Sequence, residues 1–170
     1  ALISATRPAH PYYALHPVRF RKAAQRFHDH FPGTTMYAVK VNPATHVLDQ
    51  VYESGIRHFD TASLAEIELI RGRYPDSKCH FMAPVRIPGE AGVAWKKHGL
   101  TDFVVDCDPE LDKLLSETDG GKGLRIFVRV ATPLAVSDRA VRLAVIGKLG
   151  WIKRQQARFR GQARQSEREF

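Results

Sequence analysis

The sequence predicts an α/β chain, an incomplete (β/α)8 (TIM) barrel with about five of its eight strands present. Three observations predict it. Short apolar runs recur at 36–39, 56–59, 79–82, 103–105 and 124–130. Four of their aromatics, Tyr37, Phe59, Phe81 and Phe103, lie 22 residues apart, and Phe127 follows 24 later. Between the runs lie stretches of helical periodicity. Strands alternating with helices imply parallel strands joined by crossover helices. A near-constant period without a glycine-rich dinucleotide turn favours a barrel over a doubly wound sheet. A complete barrel takes about 200 to 250 residues. This chain has 170, so an open half-barrel with unpaired edges is expected.

Residues 1–16 hold Pro8 and Pro11 and little periodicity; they read as a loose arm, with 12–15 a short strand at its end. Pro17 suits a first helical position. Val18, Phe20, Ala23, Ala24, Phe27 and Phe31 fall near helical spacing, which predicts an amphipathic helix over 18–30. His28 and His30, two apart, point to different faces and read as solvated histidines rather than a metal pair. The run 36–39 has the pattern of a strand buried on both faces. Asn42-Pro43 stops it, because proline donates no ladder hydrogen bond. Val47, Leu48, Val51 and Tyr52 predict the next helix, ended by Gly55. Leu64, Ile67, Leu69 and Ile70 predict another; Ser63 and Glu66, three apart, have capping-box spacing. Val93, Ala94 and Trp95 belong to a third, ended by Gly99, and Leu111, Leu114 and Leu115 to a fourth after Asp108-Pro109. Gly55 and Gly99 stand where a left-handed helix end needs glycine. Beyond Arg129 the pattern loses clarity. The expected organisation is an arm over 1–16, a partial barrel over 17–150 and a basic tail over 151–170.

Apolar content of 44% and charged content of 26% are ordinary for a soluble globular protein. No apolar run is long enough to span a bilayer, and no leader pattern is visible. Cys79 and Cys107 sit in apolar runs without metal spacing, so two buried thiols in a reducing, cytoplasmic setting are expected and no metal is. The last twenty residues carry six Lys or Arg against two Glu, half of the net charge of +8. The basic character therefore belongs to a solvated or disordered tail. Trp151 and Phe159 lie among its arginines, but no nucleic-acid-binding pattern is present and no nucleic-acid partner is expected.

Lys40 ends the first predicted strand, Asp60 the second, and Arg129 lies toward the end of the fifth. In a parallel barrel all three face the carboxyl rim, where ligands bind. A lysine with an apolar stem environment tends to lose its proton, and the neutral amine can form a Schiff base. A nearby carboxylate tunes its proton affinity, and arginine can hydrogen-bond a phenolate or carboxylate oxygen. The three together suit an anionic, carbonyl-bearing cofactor. Taken singly, Lys40 and Arg129 also read as side chains snorkelling to solvent, and Asp60 as a cap for the following helix.

The segments YAVKVN at 37–42 and HFDTASLAEI at 58–67 resemble the opening of the eukaryotic-type ornithine decarboxylases. These belong to the fold-type III pyridoxal-phosphate family, with the alanine racemase/ornithine decarboxylase barrel, which also holds diaminopimelate and arginine decarboxylases. FMAPVR at 81–86, IFVRVAT at 126–132 and GKLG at 147–150 are similar to later family segments. The resemblance implies that Lys40 carries pyridoxal 5'-phosphate as a Schiff base. It implies that Asp60 and Glu66 lie near the lysine and the ring, that Arg129 approaches the phenolic side, and that Lys148 lies at the mouth. It further implies decarboxylation of ornithine or lysine, ornithine to putrescine in polyamine synthesis foremost, by a homodimer. The family's ring-stacking histidine, glycine-rich phosphate loop, EPGR segment and carboxyl-terminal β-domain are missing from these 170 residues. With the abrupt basic tail, this reads as a truncated or frameshifted product, inactive alone. The alternative is a non-catalytic relative that regulates a full-length decarboxylase.

Overall fold

The computed structural model describes residues 14–129 throughout, and beyond them only 5, 9–10, 139, 143, 146–147, 149–151, 153–154 and 157. Within the described residues helices and strands alternate. They are α1 Pro17–His30, β1 Met36–Ala38, α2 Thr45–Glu53, β2 His58–Thr61, α3 Leu64–Arg73, β3 Lys78–Phe81, α4 Glu90–His98, β4 Asp102–Val105, α5 Asp108–Glu117 and β5 Arg125–Val128. Two 3-10 turns, Val39–Val41 and Asp119–Gly121, follow β1 and α5. All strands are parallel in the order β1-β2-β3-β4-β5. Sequence order equals spatial order, as in consecutive strands of a barrel.

Side chains alternate across each strand. Phe59, Phe81, Phe103 and Val105 point into one layer with Leu48, Ile67, Ile70, Leu111 and Leu114, all of them buried. That apolar layer between sheet and helices is the core. Helix ends follow local rules. Ser63 Oγ accepts from the Glu66 N–H at 3.3 Å, while Glu66 Oε2 accepts from the Ala62 N–H at 2.7 Å. This is the expected box, shifted by one donor. Gly55 and Gly99 take φ of 100° and 66° at the ends of α2 and α4, a region costly for any residue with a Cβ.

Several expectations need correction. The run 36–39 is not buried on both faces: Val39 is buried, but Met36 is 40% exposed. Among the described residues β1 is an edge strand with a neighbour on one side only, which leaves part of its surface open. Phe127 does not continue the aromatic series. It pairs with Val104, whereas Phe103 pairs with Ile126; one residue of offset sends it to the opposite sheet face, and it is 40% exposed. Helix α1 forms as expected but contributes no buried residue. It leans on α2 through Ala24 and through Arg21, whose guanidinium donates to Gln50 Oε1 and pairs with Glu53. Phe20, Phe27 and Phe31 remain exposed. Cys79 is buried as expected, but Cys107 is exposed. It directly precedes α5 instead of lying within β4. Tyr12 and Tyr13 of the expected first strand, and most of the tail, lie outside the described residues. Trp151 is half-buried against the core, its indole N–H donating to Asp108.

Candidate active site

The chain leaves β1 at Ala38 and enters the 3-10 turn Val39–Val41. Val39 is fully buried and Val41 is 73% exposed, so the turn is pinned on one side and places Lys40 on the carboxyl rim, exposed. Lys40 thus sits in the turn after the strand rather than as the strand's last residue. Asn42 fixes the path into α2. Its Oδ1 accepts from the Ala44 N–H at 3.1 Å, and its carbonyl accepts from the Tyr37 hydroxyl at 3.2 Å. Asp60 lies on β2 in register with Ala38 and His80, half-buried. Burial pushes its carboxyl above the usual carboxylate range, and the Lys40 charge opposes that rise. The Lys40 charge thus acts on the Asp60 carboxyl without forming an ion pair with it. Lys40 makes no hydrogen bond or ion pair among the described residues.

Glu66 is engaged differently. Its carboxylate reaches back to the Ala62 N–H and holds the loop after β2, so the helix cap is Ser63 with Glu66 and not Asp60. Arg129 follows β5. Its N–H donates to the Val105 carbonyl at 2.9 Å, which puts it on the same rim as Lys40 but at the far edge of the sheet, exposed. At about 4.8 Å per strand, four strand spacings separate the two along the sheet. The structure thus sets Lys40 and Asp60 on neighbouring strands at one side of the rim and leaves Arg129 across the mouth. Lys148 lies outside the described residues.

The family model for the pyridoxal-binding domain of the pyridoxal-dependent decarboxylases matches residues 18–144, well over half of the 170. The chain belongs to that family. Solved structures agree on the fold. A lysine decarboxylase from Selenomonas ruminantium is 22% identical with a TM-score of 0.69, over 92% of this chain and 40% of that one. A lysine/ornithine decarboxylase from Vibrio vulnificus, complexed with putrescine, is 22% identical with a TM-score of 0.64, over 88% and 42%. An ornithine decarboxylase from Entamoeba histolytica is 24% identical with a TM-score of 0.61, over 82% and 39%. The chain spans about two fifths of the length of these relatives. No curated protein sequence matches it.

For a pyridoxal-binding domain the rim offers what the aldehyde end of the cofactor needs. Lys40 is an uncommitted primary amine, and the half-buried Asp60 carboxylate on the neighbouring strand makes no hydrogen bond or ion pair among the described residues. The residues present therefore fit that end. The same domain carries a second polar group that sequence reasoning missed. On the sheet face opposite the helices, Asp102 is fully buried and bound by Arg125 Nε at 2.6 Å, Lys78 Nζ at 3.2 Å and the Thr101 hydroxyl at 3.0 Å. Burial raises its affinity for a proton, but these donors outweigh burial and hold its carboxyl below the usual range. His80, buried beside it, shares a 2.8 Å ring-nitrogen contact with His58. Burial pushes His80 down to about 4 despite the Asp102 charge, and burial lowers His58 too. The signal was present: His58, His80 and Asp102 are 22 residues apart, each one before an aromatic of the repeat.

Proposed function

We propose that this decarboxylase-family chain carries the lysine half of a site for pyridoxal 5'-phosphate and a basic amino acid, ornithine first and lysine second. The observation that carries the reading is the free amine of Lys40 set beside Asp60 on the carboxyl rim. Lys40 would hold the cofactor covalently; Asp60 offsets positive charge next to it. Arg129 would approach an anionic oxygen from across the mouth, Glu66 would keep the loop behind Asp60 in place, and Lys148 would line the mouth. When bound, pyridoxal phosphate supplies the electron sink for the pair left behind as the α-carboxylate departs as carbon dioxide. The relatives named for lysine and ornithine support this substrate class, as does the wording FD-x-AS-x-x-E. A cytoplasmic setting and a homodimeric assembly belong to the same reading, with polyamine synthesis as its context. By itself the chain should turn over little or no substrate, because the described strands supply only part of a barrel's rim.

The test is intact mass after incubation with pyridoxal phosphate and borohydride. One reduced adduct on the wild-type chain, lost in Lys40→Ala, is the expected result. Equal labelling of both proteins, or none, would sink the reading. The outer edges of β1 and β5, unpaired among the described residues, favour one second reading, a non-catalytic partner of a full-length decarboxylase, which co-purification of the two would support.

A further inference from the structure

The sheet is not uniformly laddered. The β2–β3 ladder extends beyond both ends through Lys78 N–H to Arg57 O and Met82 N–H to Thr61 O. The β4–β5 ladder does the same through Arg125 N–H to Thr101 O and Arg129 N–H to Val105 O. Between β3 and β4 only Phe81 and Phe103 are in register. The rim is thus two laddered blocks, β1-β2-β3 with Lys40 and Asp60, and β4-β5 with Arg129, joined at a sparse seam. Side chains stitch that seam. At the amino end Lys78 of β3 meets Asp102 of β4. At the carboxyl end the stitch is Arg86, from the loop after β3.

Arg86 has a side chain with no exposed surface. Its Nη1 donates to Ala83 O at 2.8 Å within its own loop and to Val104 O at 2.7 Å on β4. The guanidinium carbon lies 5.7 Å and 5.9 Å from the ring centroids of Phe81 and Phe103, the two residues that do pair. Glu110 of α5 stands 3.6 Å from Nη2, and Lys113 Nζ donates to the Arg86 carbonyl at 2.6 Å and to Glu110 at 2.7 Å. Val85 and Ile87 on either side are 74% and 68% exposed. A charged residue is buried while its apolar neighbours face water, the reverse of what solvation alone would give. Burying a guanidinium is costly unless hydrogen bonds and counter-charge are supplied; here Nη1 makes both carbonyl bonds and Glu110 supplies the charge across the seam, while Nε and Nη2 have no hydrogen-bond partner among the described residues.

We infer that Arg86 is a positioning residue that clasps the β3–β4 seam and sets the spacing between the Lys40–Asp60 side of the mouth and the Arg129 side. This rests on the reading of that rim as the cofactor site. Losing the clasp frees Val104 O and the 82–89 loop, and lets the two blocks shift against each other.

The experiment uses the full chain with Arg86→Met, Arg86→Lys and Lys113→Met, and a core control, Leu114→Ala. Amide hydrogen exchange is read by peptide, and pyridoxal phosphate is titrated against the borohydride-trapped adduct at Lys40. Arg86→Met should speed exchange in 82–89 and 103–107 by about tenfold or more and leave 45–61 unchanged. The concentration for half-maximal labelling should rise roughly fivefold. Arg86→Lys, able to keep one carbonyl contact, should fall between. Leu114→Ala should lower the melting temperature without moving half-maximal labelling. If Arg86→Met does not fold, the partly exposed Lys113→Met carries the same expectations at smaller size. Unchanged exchange in 82–89 in the folded variants overturns the clasp; a loosened loop with unchanged labelling overturns its positioning role. If the wild type takes no label, the reading of Lys40 falls, and exchange still decides whether the seam is clasped.

Discussion

At the scale of single residues, the polar face of the sheet decides the pH response. His80 is neutral in the fold because burial holds it down to about 4, against an ordinary value of 6.5. The unfolded chain binds a proton that the native chain refuses. Stability is therefore full above pH 6.5 and falls as pH drops toward 4. Each tenfold loss of proton affinity on folding is worth about 1.4 kcal/mol, so the shift of His80 costs on the order of 3 kcal/mol by the bottom of that window, and the lowered His58 acts in the same direction. Urea midpoints at pH 7.5 and 4.8 should differ for the wild type and converge for His80→Leu; equal slopes would show that carboxylates alone set the acid limit. Lys40 offers a check that needs no cofactor. Its charge holds the Asp60 carboxyl below where burial alone would put it. In Lys40→Met the Asp60 titration, followed by carboxyl NMR, should move upward; an unmoved midpoint would place the amine elsewhere. Lys40 and Asp60 were legible in the sequence because each closes an apolar run. Arg86 was not, since nothing in Val85-Arg86-Ile87 says which side chain turns inward.

Among the elements, the sheet order and most boundaries followed from the repeat, and the exceptions have local causes. The spacing of 22 keeps Phe81 and Phe103 opposite one another. Between β2 and β3 the register slips by two, with Phe59 opposite Cys79, which preserves the face. Before Phe127 the connection contributes an odd offset and the face is lost. Spacing in sequence does not count loop residues separately from strand residues, so only the structure reveals such slips. Helix capping was legible where the partners are close, as in Ser63 and Glu66. It was invisible where the cap comes from another helix. Glu117, at the end of α5, accepts from the N–H groups of Gly89, Ala91 and Gly92 at 2.7, 3.1 and 3.2 Å, and so caps α4 from outside. Glu117→Ala should cost about 1–2 kcal/mol in chemical denaturation, and Glu117→Gln less. Two helical glycines differ for the same reason. A Cβ on Gly72 in α3 would meet nothing within 4 Å, whereas on Gly92 it would meet the Glu117 carbonyl oxygen at 3.0 Å. Gly72→Ala should stabilise by about 0.5–1 kcal/mol; Gly92→Ala should lose that gain or reverse it. Equal effects would mean that α4 and α5 part easily.

At the scale of the whole molecule, the five described strands form an open sheet and leave surface that a closed barrel would enclose. Among the described residues the helices that follow these strands cover one face only. On the other face the Asp102 cluster buries itself by mutual contact, but Phe127 and Met36, each 40% exposed, lie on the two edge strands. Composition hid this: 44% apolar residues describe how much can be buried, not whether the chain has enough layers to bury it. Edge strands with free backbone groups beside apolar side chains invite pairing with another chain. Self-association that grows with protein concentration is the expected behaviour, and a net charge of +8 should make it stronger at higher salt, where repulsion between copies is screened. Phe127→Lys separates the edge from the core. The residue is half out of the fold already, so the substitution should change stability by no more than about 0.5 kcal/mol, while a lysine on an edge strand disfavours strand addition. Sedimentation velocity over a concentration series, at low and high salt, reads the outcome. A mass that rises for the wild type and stays flat for Phe127→Lys locates the contact at the β5 edge. If both rise alike, the contact lies elsewhere, and the exposed aromatics of α1, Phe20, Phe27 and Phe31, are the next surface to charge.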